Sequence, residues 1–462
     1  MPIHVTIENI ATATNRINFL DIVINFTSLY LQRLLDMIQC SYKIYSRIEM
    51  KTSFAIIGAN YGDEGKGHFT DLFARQEHIS HVVRFNGGAQ AGHTVVDGDK
   101  RHVFSHFSAG TLAKADTILS SHFISNPIMF SRELQRLNDN GIALPSVIVD
   151  HESKMSTPID MMLNQFTVAK KGNISCGIGI VETEARNDHG LNIYAGSSMS
   201  KVKEVLTQIR TSWLEYRIKE LDLCLTEEQV AIINDESIFE RYIEDVEKFQ
   251  DFVKTENTAK LITEDLADSV VFEGAQGLGL DQRNGTIPFI TRSNTGLRNI
   301  YDIIHQTKPN LEVVYVTRAY LTRHGLGPME NQVFNGKPYH GIEDQTNVYN
   351  QYQGHFRYGY LDIDAMISRI YRDSEQSFRY GINRDNIKIG ITCLDQVGDS
   401  VSFYSNNKFK TLSKNNFVKH VSQQSGFDVI VSSYVSLALL LFFLCYTSII
   451  FLHRNLFEQQ SF

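Results

Sequence analysis

The sequence is poor in cysteine and has none of the spacings in which cysteines bind zinc. Its 462 residues include five cysteines, and none belongs to a C-x-x-C pair. An odd number of scattered cysteines is typical of free thiols in a reducing compartment. The pattern therefore argues against a disulfide-stabilised secreted domain and against a cysteine zinc site. The cysteines are Cys40, Cys176, Cys224, Cys393 and Cys445.

Long basic tracts and low-complexity stretches are also missing. The formal net charge is −8, and no extended run of lysine and arginine occurs. This charge balance argues against a nucleic-acid partner, because nucleic-acid binding depends on clustered cations. With 42% hydrophobic and 21% charged residues, the chain can bury a large core, and we expect one large domain.

The N-terminal 49 residues lack the basic start and continuous apolar core of a signal peptide. Their apolar runs are broken by acids such as Asp21 and Asp36, and organelle-targeting segments are normally poor in acidic residues. Met50 stands directly before the first strand pattern and would serve as an initiator. We therefore expect residues 1–49 to be an extension outside the fold and residues 50–432 to form the domain.

The C-terminal tail, residues 433–462, contains a long uncharged stretch. The 19 residues from Tyr434 to Leu452 carry no charge and are followed by His453 and Arg454. At about 1.5 Å of rise per residue, a helix of this length nearly spans the hydrocarbon core of a bilayer. Two interpretations stay open, a transmembrane anchor and an altered end of the chain.

What the sequence does contain is a pair of glycine-rich loops, each directly after an apolar strand pattern. The first loop follows Phe54–Ile57 and precedes a helical spacing of apolar residues. A strand, a glycine loop and a helix together point backbone N–H groups and the positive helix end at a phosphate. The loop is not a Walker A sequence, since Asn60 and Gly67 stand where that motif has glycine and serine or threonine.

The second loop follows the apolar stretch His81–Phe85 and reads N-G-G-A-Q-A-G-H-T from Asn86 to Thr94. It exposes backbone in the same way and presents a histidine, His93, near its end. Two such loops on neighbouring strands can converge on one polyphosphate. The pair of loops therefore predicts a phosphate-binding site between them.

These loops and several later motifs resemble the adenylosuccinate synthetase family. The first loop reads G-D-E-G-K-G and the second G-G-x-x-A-G-H-T, as in that family. Four further matches follow in the family's order: FEGAQG with L-D, G-T-x-P with T-x-S-N-T, A-Y-x-T-R-x-G-x-G-P, and a second L-D. They occupy Phe272–Gly277, Leu280–Asp281, Gly285–Thr295, Ala319–Pro328 and Leu394–Asp395. The resemblance covers roughly residues 50–432.

The resemblance implies an α/β fold with a large, mostly parallel central sheet flanked by helices, related to the P-loop NTPases. Strand and helix patterns in the sequence agree with this fold. The strand patterns lie at Ser146–Asp150, Ser269–Glu273, Glu312–Arg318, Ile387–Leu394 and Phe427–Val431, and a helix pattern at Ser131–Asn138. Residues 199–262 are helical and charged in pattern throughout and predict a helical subdomain, in which Thr226 and Gln229 are spaced as a capping box.

Members of this family are ligases that condense IMP with L-aspartate, using GTP and Mg²⁺. Phosphorylation turns the oxo group of the purine into a leaving group, and aspartate then replaces it. The resemblance implies this reaction, through 6-phosphoryl-IMP to adenylosuccinate, GDP and phosphate, in AMP biosynthesis. It also implies a cytoplasmic location and a homodimer, whose subunit-crossing arginine falls near residues 186–189.

The site residues are those that match the family's motifs. By this resemblance, Asp63 is the base that generates the 6-oxyanion and is a ligand of Mg²⁺, to which Gly92 lends its carbonyl. His93 stabilises the transferring γ-phosphoryl group, and Gln276 contacts the phosphorylated purine. Lys66 completes the catalytic set by holding phosphates. The other residues implied in nucleotide and phosphate binding are Gly62, Glu64, Gly65, Gly67, Thr94, Thr291, Arg323 and Asp395.

The sequence also departs from the family's pattern. Residues 353–362 replace the arginine-rich GRRRRTGWLD segment, so that only Arg357 stays to bind aspartate. Cys393 replaces the lysine of TKLD, and Gly172–Gly179 keeps the glycines of GTTGRGIG without its arginine and threonine pair. The chain also lacks the STGPxR segment that embraces the guanine base. These features resemble the shorter archaeal and phage branch of the family.

Two alternatives follow from these departures. Some phage members act on dGMP, with ATP or GTP as the donor, and form 2-aminoadenylosuccinate. That branch replaces the catalytic-loop aspartate, so the retained Asp63 favours IMP. The second alternative is a homologue that binds nucleotides without catalysis, since the altered C-terminal end removes a base-recognition element. Intact Asp63, Lys66 and His93 favour an active ligase.

Overall fold

The computed structural model describes residues 52–172, 175–266, 269–305, 310–344, 346–347, 349 and 351–432. The predicted extension at 1–49 and the uncharged stretch at 434–452 lie outside these ranges. Among the described residues, no helix is both long enough and apolar enough to cross a membrane. The membrane-anchor interpretation of the tail concerns other residues and stays a prediction.

Strands and helices alternate along the chain. The strands are β1 Ser53–Gly58, β2 Ile79–Arg84, β3 His93–Asp97, β4 Lys100–Phe104, β5 Asp116–Leu119, β6 Val147–Asp150, β7 Lys254–Glu256, β8 Ser269–Glu273, β9 Leu311–Arg318, β10 Tyr320–Arg323, β11 Gln332–Val333, β12 Arg357–Asp362, β13 Ile387–Thr392, β14 Ser400–Ser405, β15 Lys408–Ser413 and β16 Asp428–Val431. The α-helices are α1 Lys66–Ala74, α2 Pro127–Asp139, α3 Pro158–Lys171, α4 Ile180–Asp188, α5 Met199–Gln208, α6 Leu214–Glu220, α7 Glu227–Ile233, α8 Glu236–Phe252, α9 Thr258–Lys260, α10 Arg298–Ile304, α11 Ile363–Ser374 and α12 Lys414–Ser425.

Nine of these strands form one parallel sheet. Its order is β16-β13-β9-β1-β8-β2-β5-β6-β7, and each neighbouring pair runs parallel. Strand β1 lies near the centre, where Ala55 pairs with Phe272 of β8 and Val313 of β9. The predicted α/β class with a large parallel sheet is confirmed. Each predicted strand is present, with ends that differ from the prediction by two residues at most.

Both faces of β1 are buried, which explains its uninterrupted apolar sequence. Phe54 and Ile56 pack on one face with Phe69 of α1. Ala55 and Ile57 belong to the core on the other face, to which α11 contributes Ile363, Met366 and Ile370. Helices cover both faces of a parallel sheet, so its central strands have no solvent side and need no polar alternation.

Helices α5, α6 and α8 share an apolar cluster with strands β5 and β6, next to the β7 edge of the sheet. On that side, Phe249 and Phe252 of α8 pack against Phe130 of α2, with ring centroids 5.0 and 5.5 Å apart. The predicted capping box is confirmed. The Gln229 N–H donates to Thr226 Oγ1 at 3.2 Å, and the Thr226 N–H donates to Gln229 Oε1 at 3.0 Å.

The helical prediction for residues 199–262 is wrong at Lys254–Glu256. These residues form β7, the edge strand of the central sheet, and pair with Ile148–Asp150 of β6. Three residues are too few to show the two-residue alternation that marks a strand. The pairing depends on β6, about a hundred residues earlier in the chain, and so leaves no local signal.

Arg186 is fully buried within its own chain. Its Nη2 donates to Asp160 Oδ2 at 2.9 Å and to the Met155 carbonyl at 2.8 Å. Both side chains of the Arg186–Asp160 pair have no exposed surface. An arginine that reaches into a partner subunit is therefore not Arg186, and the homodimer stays a prediction.

Asp373, at the end of α11, is expected to make the fold less stable as the pH rises. Its carboxylate accepts hydrogen bonds from the Leu297 N–H and from the Tyr315 hydroxyl at 2.8 Å. Burial outweighs these bonds and raises the pKa of Asp373 to about 7. Because an unfolded aspartate has a pKa of about 3.9, the folded state binds the extra proton between these two values. Stability from this proton is complete below about pH 4 and is lost by about pH 7.

The Asp373→Asn variant isolates this contribution. Over the full window, the lost stability is on the order of 4 kcal/mol, at 1.36 kcal/mol for each pH unit. We expect the difference in unfolding free energy between pH 5 and pH 8, measured with urea, to shrink by a few kcal/mol in Asp373→Asn. The exposed control Asp399→Asn should keep the wild-type difference, and an unchanged difference in Asp373→Asn would contradict the assignment.

Candidate active site

The carboxyl ends of the central strands open into a cleft of about 860 Å³. Loops after β1, β2, β8, β9 and β13 meet there, because the carboxyl ends of parallel strands share one edge, where ligands bind in open α/β sheets. Most of the predicted site residues line this cleft. They are Gly62, Asp63, Gly65, Lys66, Gly67, Gly92, His93, Thr94, Gln276, Thr291 and Arg323.

The Glu64 carboxylate holds the first loop together through hydrogen bonds. Its Oε1 accepts hydrogen bonds from the N–H groups of Asn60 at 3.1 Å and Gly62 at 2.8 Å, and its Oε2 accepts from Lys66 Nζ at 2.8 Å. The Glu64 and Lys66 side chains are each only 3% exposed. Glu64 is absent from the cleft lining, so its carboxylate braces the loop and is not directed at a phosphate.

Gly65 caps α1 in a backbone conformation that favours glycine, with φ 96°. A Cβ atom at Gly65 would lie 2.9 Å from Cγ2 of Thr392. The Thr392 hydroxyl is itself fixed, since it donates to the Glu64 carbonyl at 2.7 Å. The first loop and the end of β13 therefore meet where only glycine fits, and the N-terminus of α1 faces the cleft as a phosphate site would.

The Gly65→Ala variant is expected to bind nucleoside triphosphate at least about tenfold more weakly than the wild type. An alanine at a left-handed position costs about 1–3 kcal/mol of backbone strain, and its Cβ atom would also clash with Thr392. Equilibrium titration with a fluorescent GTP analogue measures the Kd. Gly98→Ala is the matched control. Gly98 also has a positive φ, 61°, but a Cβ atom there would meet no atom within 4 Å, so this variant should retain wild-type affinity. Equal losses in both variants would contradict the role of the contact.

Asp63 is fixed through its backbone, while its carboxylate remains accessible. Its φ is 60°, and its carbonyl accepts a hydrogen bond from Arg318 Nε at 2.5 Å. The side chain is 25% exposed and its Oδ2 lies 3.7 Å from His324 Nε2. A carboxylate in this position can meet a ligand in the cleft without a large movement of the loop.

His93, from the second loop, is paired with a buried carboxylate at the end of β8. Its Nδ1 donates to Glu273 Oε1 at 2.5 Å. Glu273 has no exposed surface, and its Oε2 also lies 3.7 Å from Nε of the equally buried Arg84. The Ala109 N–H adds a further hydrogen bond at 3.2 Å. Glu273 therefore anchors the histidine at the base of the cleft.

Burial and neighbouring charges together set the pKa values of Glu273 and His93. Burial favours the protonated acid, yet His93 and Arg84 outweigh it and hold the pKa of Glu273 below its ordinary value. For the imidazole, burial lowers the pKa of His93, with Glu273 opposing it. A carboxylate can only accept a hydrogen bond, so the hydrogen of the neutral His93 ring is on Nδ1. Nε2 is then the ring nitrogen without a hydrogen. A phosphate that approaches Nε2 would favour the imidazolium, whose charge Glu273 already balances.

Two amide side chains in the cleft have polar atoms without partners. Both amide atoms of Gln90, and Oε1 of Gln276, are buried and have no hydrogen-bond partner among the described residues. Gln276 is also held in a left-handed conformation, φ 55°. Buried polar groups are nearly always paired, so these amides are suited to a polar ligand that enters the cleft.

The cleft also offers oxygen atoms suited to a magnesium ion. Asp63 supplies a carboxylate and Gly92 a backbone carbonyl, and both residues line the cleft. Mg²⁺ is usually held by one or two protein oxygens together with waters and the phosphates of a substrate. The available protein ligands therefore fit an ion that binds together with a nucleoside triphosphate.

The two predicted arginines hold the loop that follows β10. Arg323 Nη1 donates to the Pro328 carbonyl at 2.7 Å, and Arg357 Nη2 donates to the Gly327 carbonyl at 3.0 Å. Nε of each is buried without a partner among the described residues. Burial lowers the pKa of Arg323, and the charge of Arg357 adds to this effect. Arg323 lines the cleft and Arg357 does not, so the assignment of Arg357 to aspartate stays a prediction.

Asp395 lies outside the cleft. Its side chain is exposed, in the 3-10 turn Leu394–Val397, whereas its neighbours Cys393 and Gln396 line the cleft. The turn begins at Cys393 with φ 59°, and Leu394 and Val397 are its buried residues. Guanine recognition by Asp395 stays a prediction, and it requires a movement of this turn.

Sequence reasoning missed the partners of the predicted residues. Glu273 belongs to the FEGAQG motif, in which the sequence assigns it no role, yet it pairs with His93, and Arg84 completes that buried group. Arg318 holds the backbone of Asp63, and His324 lies beside its carboxylate. Glu273 and His324 are part of quoted motifs, so position within the motifs was the available signal.

Comparisons with known proteins point to one family. The family model described as adenylosuccinate synthetase matches residues 55–373. An adenylosuccinate synthetase of Leuconostoc mesenteroides is 29% identical over 290 residues, which cover 61% of this chain and 65% of that protein. One from Borrelia duttonii is 27% identical over 292 residues, with the same shares covered. The chain therefore matches about 65% of the length of these curated relatives.

The fold has a counterpart among solved structures. The fully ligated adenylosuccinate synthetase of Plasmodium falciparum superposes with a TM-score of 0.66 at 18% identity, over 82% of this chain and 97% of that one. At this identity the likeness concerns the fold alone. The family model, in contrast, covers well over half of the chain and includes both glycine loops. The chain belongs to the adenylosuccinate synthetase family.

Proposed function

We propose that this protein is a ligase of the adenylosuccinate synthetase type, which condenses IMP with L-aspartate at the expense of GTP. The observation that carries the proposal is the meeting of Asp63, Lys66 and His93, from two separate loops, at one cleft. A base, a phosphate-binding cation and a group that stabilises a phosphoryl transfer are what the first half of this reaction needs. The homodimer and the cytoplasmic location that the family implies stay predictions.

In the first step, Asp63 takes the N1 proton of IMP. The electron pair freed in the ring makes O6 a nucleophile, which attacks the γ-phosphorus of GTP. A bond forms between O6 and phosphorus, the bond from phosphorus to the β,γ-bridging oxygen breaks, and GDP leaves. The accessible carboxylate of Asp63, on a backbone held by Arg318, suits this transfer because a base must reach the proton within hydrogen-bond distance.

The transferring phosphoryl group would lie between His93 and the first loop. Charge spreads over its three oxygens during transfer, so donors arranged beforehand lower the barrier. His93, as an imidazolium, donates from Nε2 while Glu273 balances its charge through Nδ1. Lys66 and the N–H groups at the start of α1 bind the remaining phosphate oxygens. Asp63 and Gly92 would hold a Mg²⁺ ion, which would supply positive charge to the phosphates.

In the second step, the amine of aspartate replaces the phosphorylated oxygen. The nitrogen forms a bond to C6 of the purine, the bond from C6 to O6 breaks, and inorganic phosphate leaves with O6. The attacking neutral amine gives up one of its two protons to the departing phosphate or to water, which leaves the neutral N6–H of adenylosuccinate. Arg357 is the residue proposed to bind the aspartate carboxylates, and Gln276, which lines the cleft, can donate from its amide nitrogen to the phosphoryl group that leaves.

A phosphate-release assay tests the proposal on the purified full chain. GTP and ATP are crossed with IMP, dGMP and no purine, with aspartate and Mg²⁺ present or omitted. The proposal predicts release that requires both IMP and aspartate and is faster with GTP. Release with dGMP in place of IMP would assign the phage-type reaction. Intact nucleotide binding with no release under any condition would make the chain a binding protein.

A further inference from the structure

A closed ring of polar contacts surrounds Asp63. His324 Nε2 lies 3.7 Å from Asp63 Oδ2 and 3.1 Å from Asn347 Oδ1. Asn347 Nδ2 donates to Asp344 Oδ2 at 2.8 Å, and Arg318 Nη2 donates to the same oxygen at 3.0 Å. Arg318 Nε then returns to Asp63 through its backbone carbonyl. The ring therefore holds both the backbone and the side chain of the same residue.

The partners in this ring determine which nitrogen of His324 carries a hydrogen. Asp344 can only accept, so the amide nitrogen of Asn347 faces Asp344 and its oxygen faces His324. An oxygen partner on that side requires the hydrogen of His324 to be on Nε2. Nε2 donates that hydrogen to Asn347 Oδ1, and Asp63 Oδ2 lies 3.7 Å from the same nitrogen. Nδ1 is buried and has no hydrogen-bond partner among the described residues, which agrees with a ring that carries no hydrogen there.

The His324 ring is also fixed by packing. It lies against Phe356, with ring centroids 4.4 Å apart, and the Arg318 guanidinium approaches the same Phe356 ring, 5.7 Å from its centroid. The His324 side chain is 17% exposed and lines the cleft. A ring held on its face by an aromatic residue and at its edge by an amide has little freedom to turn. Its Nε2–H is therefore a fixed donor beside Asp63.

Asp63 needs such a partner because little else constrains its carboxylate. The residue belongs to a glycine-rich loop, and its carboxylate oxygens accept no hydrogen bond from the rest of the described chain within 3.5 Å. His324 Nε2 lies 3.7 Å from its Oδ2. Catalytic contacts are often long without substrate and shorten when it binds. A rotation of the carboxylate that moves Oδ2 by well under about 1 Å would bring its 3.7 Å separation from His324 Nε2 into hydrogen-bond range.

We propose that His324 is a positioning residue that sets the orientation of the Asp63 carboxylate towards the purine. The inference deepens the proposed function and rests on it. Position 324 is a variable place in the A-Y-x-T-R-x-G-x-G-P motif, so the motif itself assigns it no role. Here its histidine links the base to Asn347, Asp344 and Arg318. Asp344 and Asn347 thereby support the reacting carboxylate from outside the first loop.

Two substitutions separate positioning from packing. His324→Phe keeps an aromatic ring against Phe356 and removes the donor, whereas His324→Gln keeps an N–H near the place of Nε2. In steady-state assays with IMP, GTP and aspartate, we expect kcat of His324→Phe to fall about 100-fold, the size of effect that a misplacement of about 1 Å produces. The KM for GTP should stay within about twofold. His324→Gln should recover at least about tenfold of the lost kcat.

The result that overturns the proposal is a kcat of His324→Phe equal to that of the wild type, or losses of the same size in both variants. Equal losses would mean that the ring acts by packing alone. A rise in the KM for GTP that matches the fall in kcat would lead to the same conclusion, because it would indicate damage to the whole cleft.

An NMR measurement tests the contact without any turnover. In the protein labelled with ¹⁵N-histidine, the signals of His324 are those that disappear in His324→Gln. They should show a hydrogen on Nε2 and a bare Nδ1, and they should shift in Asp63→Ala but not in the exposed control Asp399→Ala. Signals that Asp63→Ala leaves unchanged overturn the proposal. If the wild type turns over no substrate, the proposed ligase function fails, and this spectrum alone decides whether His324 holds Asp63.

Discussion

Asp63→Asn is expected to lower kcat for adenylosuccinate formation by about 10²–10⁴-fold, the range that a positioned general base contributes. Asparagine keeps the size of the side chain and the hydrogen bond from Arg318, which goes to the backbone carbonyl. It removes the carboxylate oxygen that we propose takes the N1 proton, so O6 should stay a weak nucleophile. Stopped assays that separate adenylosuccinate by chromatography measure the loss directly.

Two controls belong to this prediction. Asp99→Asn, an exposed change in the turn between β3 and β4, should retain full activity. Binding of IMP and GTP to Asp63→Asn, measured by calorimetry without turnover, should change by less than about tenfold, because the lost interaction acts mainly in the transition state. Turnover of Asp63→Asn within a factor of about ten of the wild type would remove Asp63 as the base.

Glu273→Ala is expected to reduce both stability and catalysis. The change leaves Arg84 buried without its counter-charge and His93 without its anchor. Removal of one partner from a buried ion pair costs about 3–5 kcal/mol, so the unfolding free energy in urea should fall by that amount. The same variant should lose about 10²–10³-fold in kcat, as when an oriented donor to the transition state is removed.

The control for stability is a pair on the surface. Glu312 and Lys388 are joined at 2.6 Å but are each about a quarter exposed, and Glu312→Ala should cost no more than about 1 kcal/mol. Glu273→Gln separates the two effects, since it keeps a hydrogen-bond acceptor for His93 and removes the charge. A kcat of Glu273→Gln equal to that of the wild type would show that the anionic charge is not needed at His93.

Local patterns predicted the central sheet and the cleft. The apolar run Phe54–Ile57 predicts a strand buried on both faces, and the glycines after it predict a turn into a helix. Both features depend on neighbours in the chain, and the structure has them at β1 and α1. The carboxyl edge of a parallel sheet then brings the second loop, with His93, to the same cleft. Topology alone accounts for that meeting.

Local sequence patterns could not predict the roles of residues whose partners are distant in the chain. Glu273 pairs with His93 across 180 positions of sequence, and its burial is set by strands that are not its neighbours in the chain. Glu64 was assigned to phosphates, yet its carboxylate turns into the loop. Gly62, Asp63 and Gly65 have positive φ angles in this loop, and the sequence does not indicate which side chain such a turn encloses.

The most direct test of the central claim follows the oxygen at C6 of the purine. In the proposed reaction this oxygen leaves with the phosphate, whereas simple hydrolysis of GTP takes its oxygen from water. The purified protein is incubated with [6-¹⁸O]IMP, GTP, aspartate and Mg²⁺, and the phosphate released is analysed by ³¹P NMR or mass spectrometry. The account predicts one ¹⁸O in each phosphate, in step with adenylosuccinate. Unlabelled phosphate from labelled IMP would contradict it.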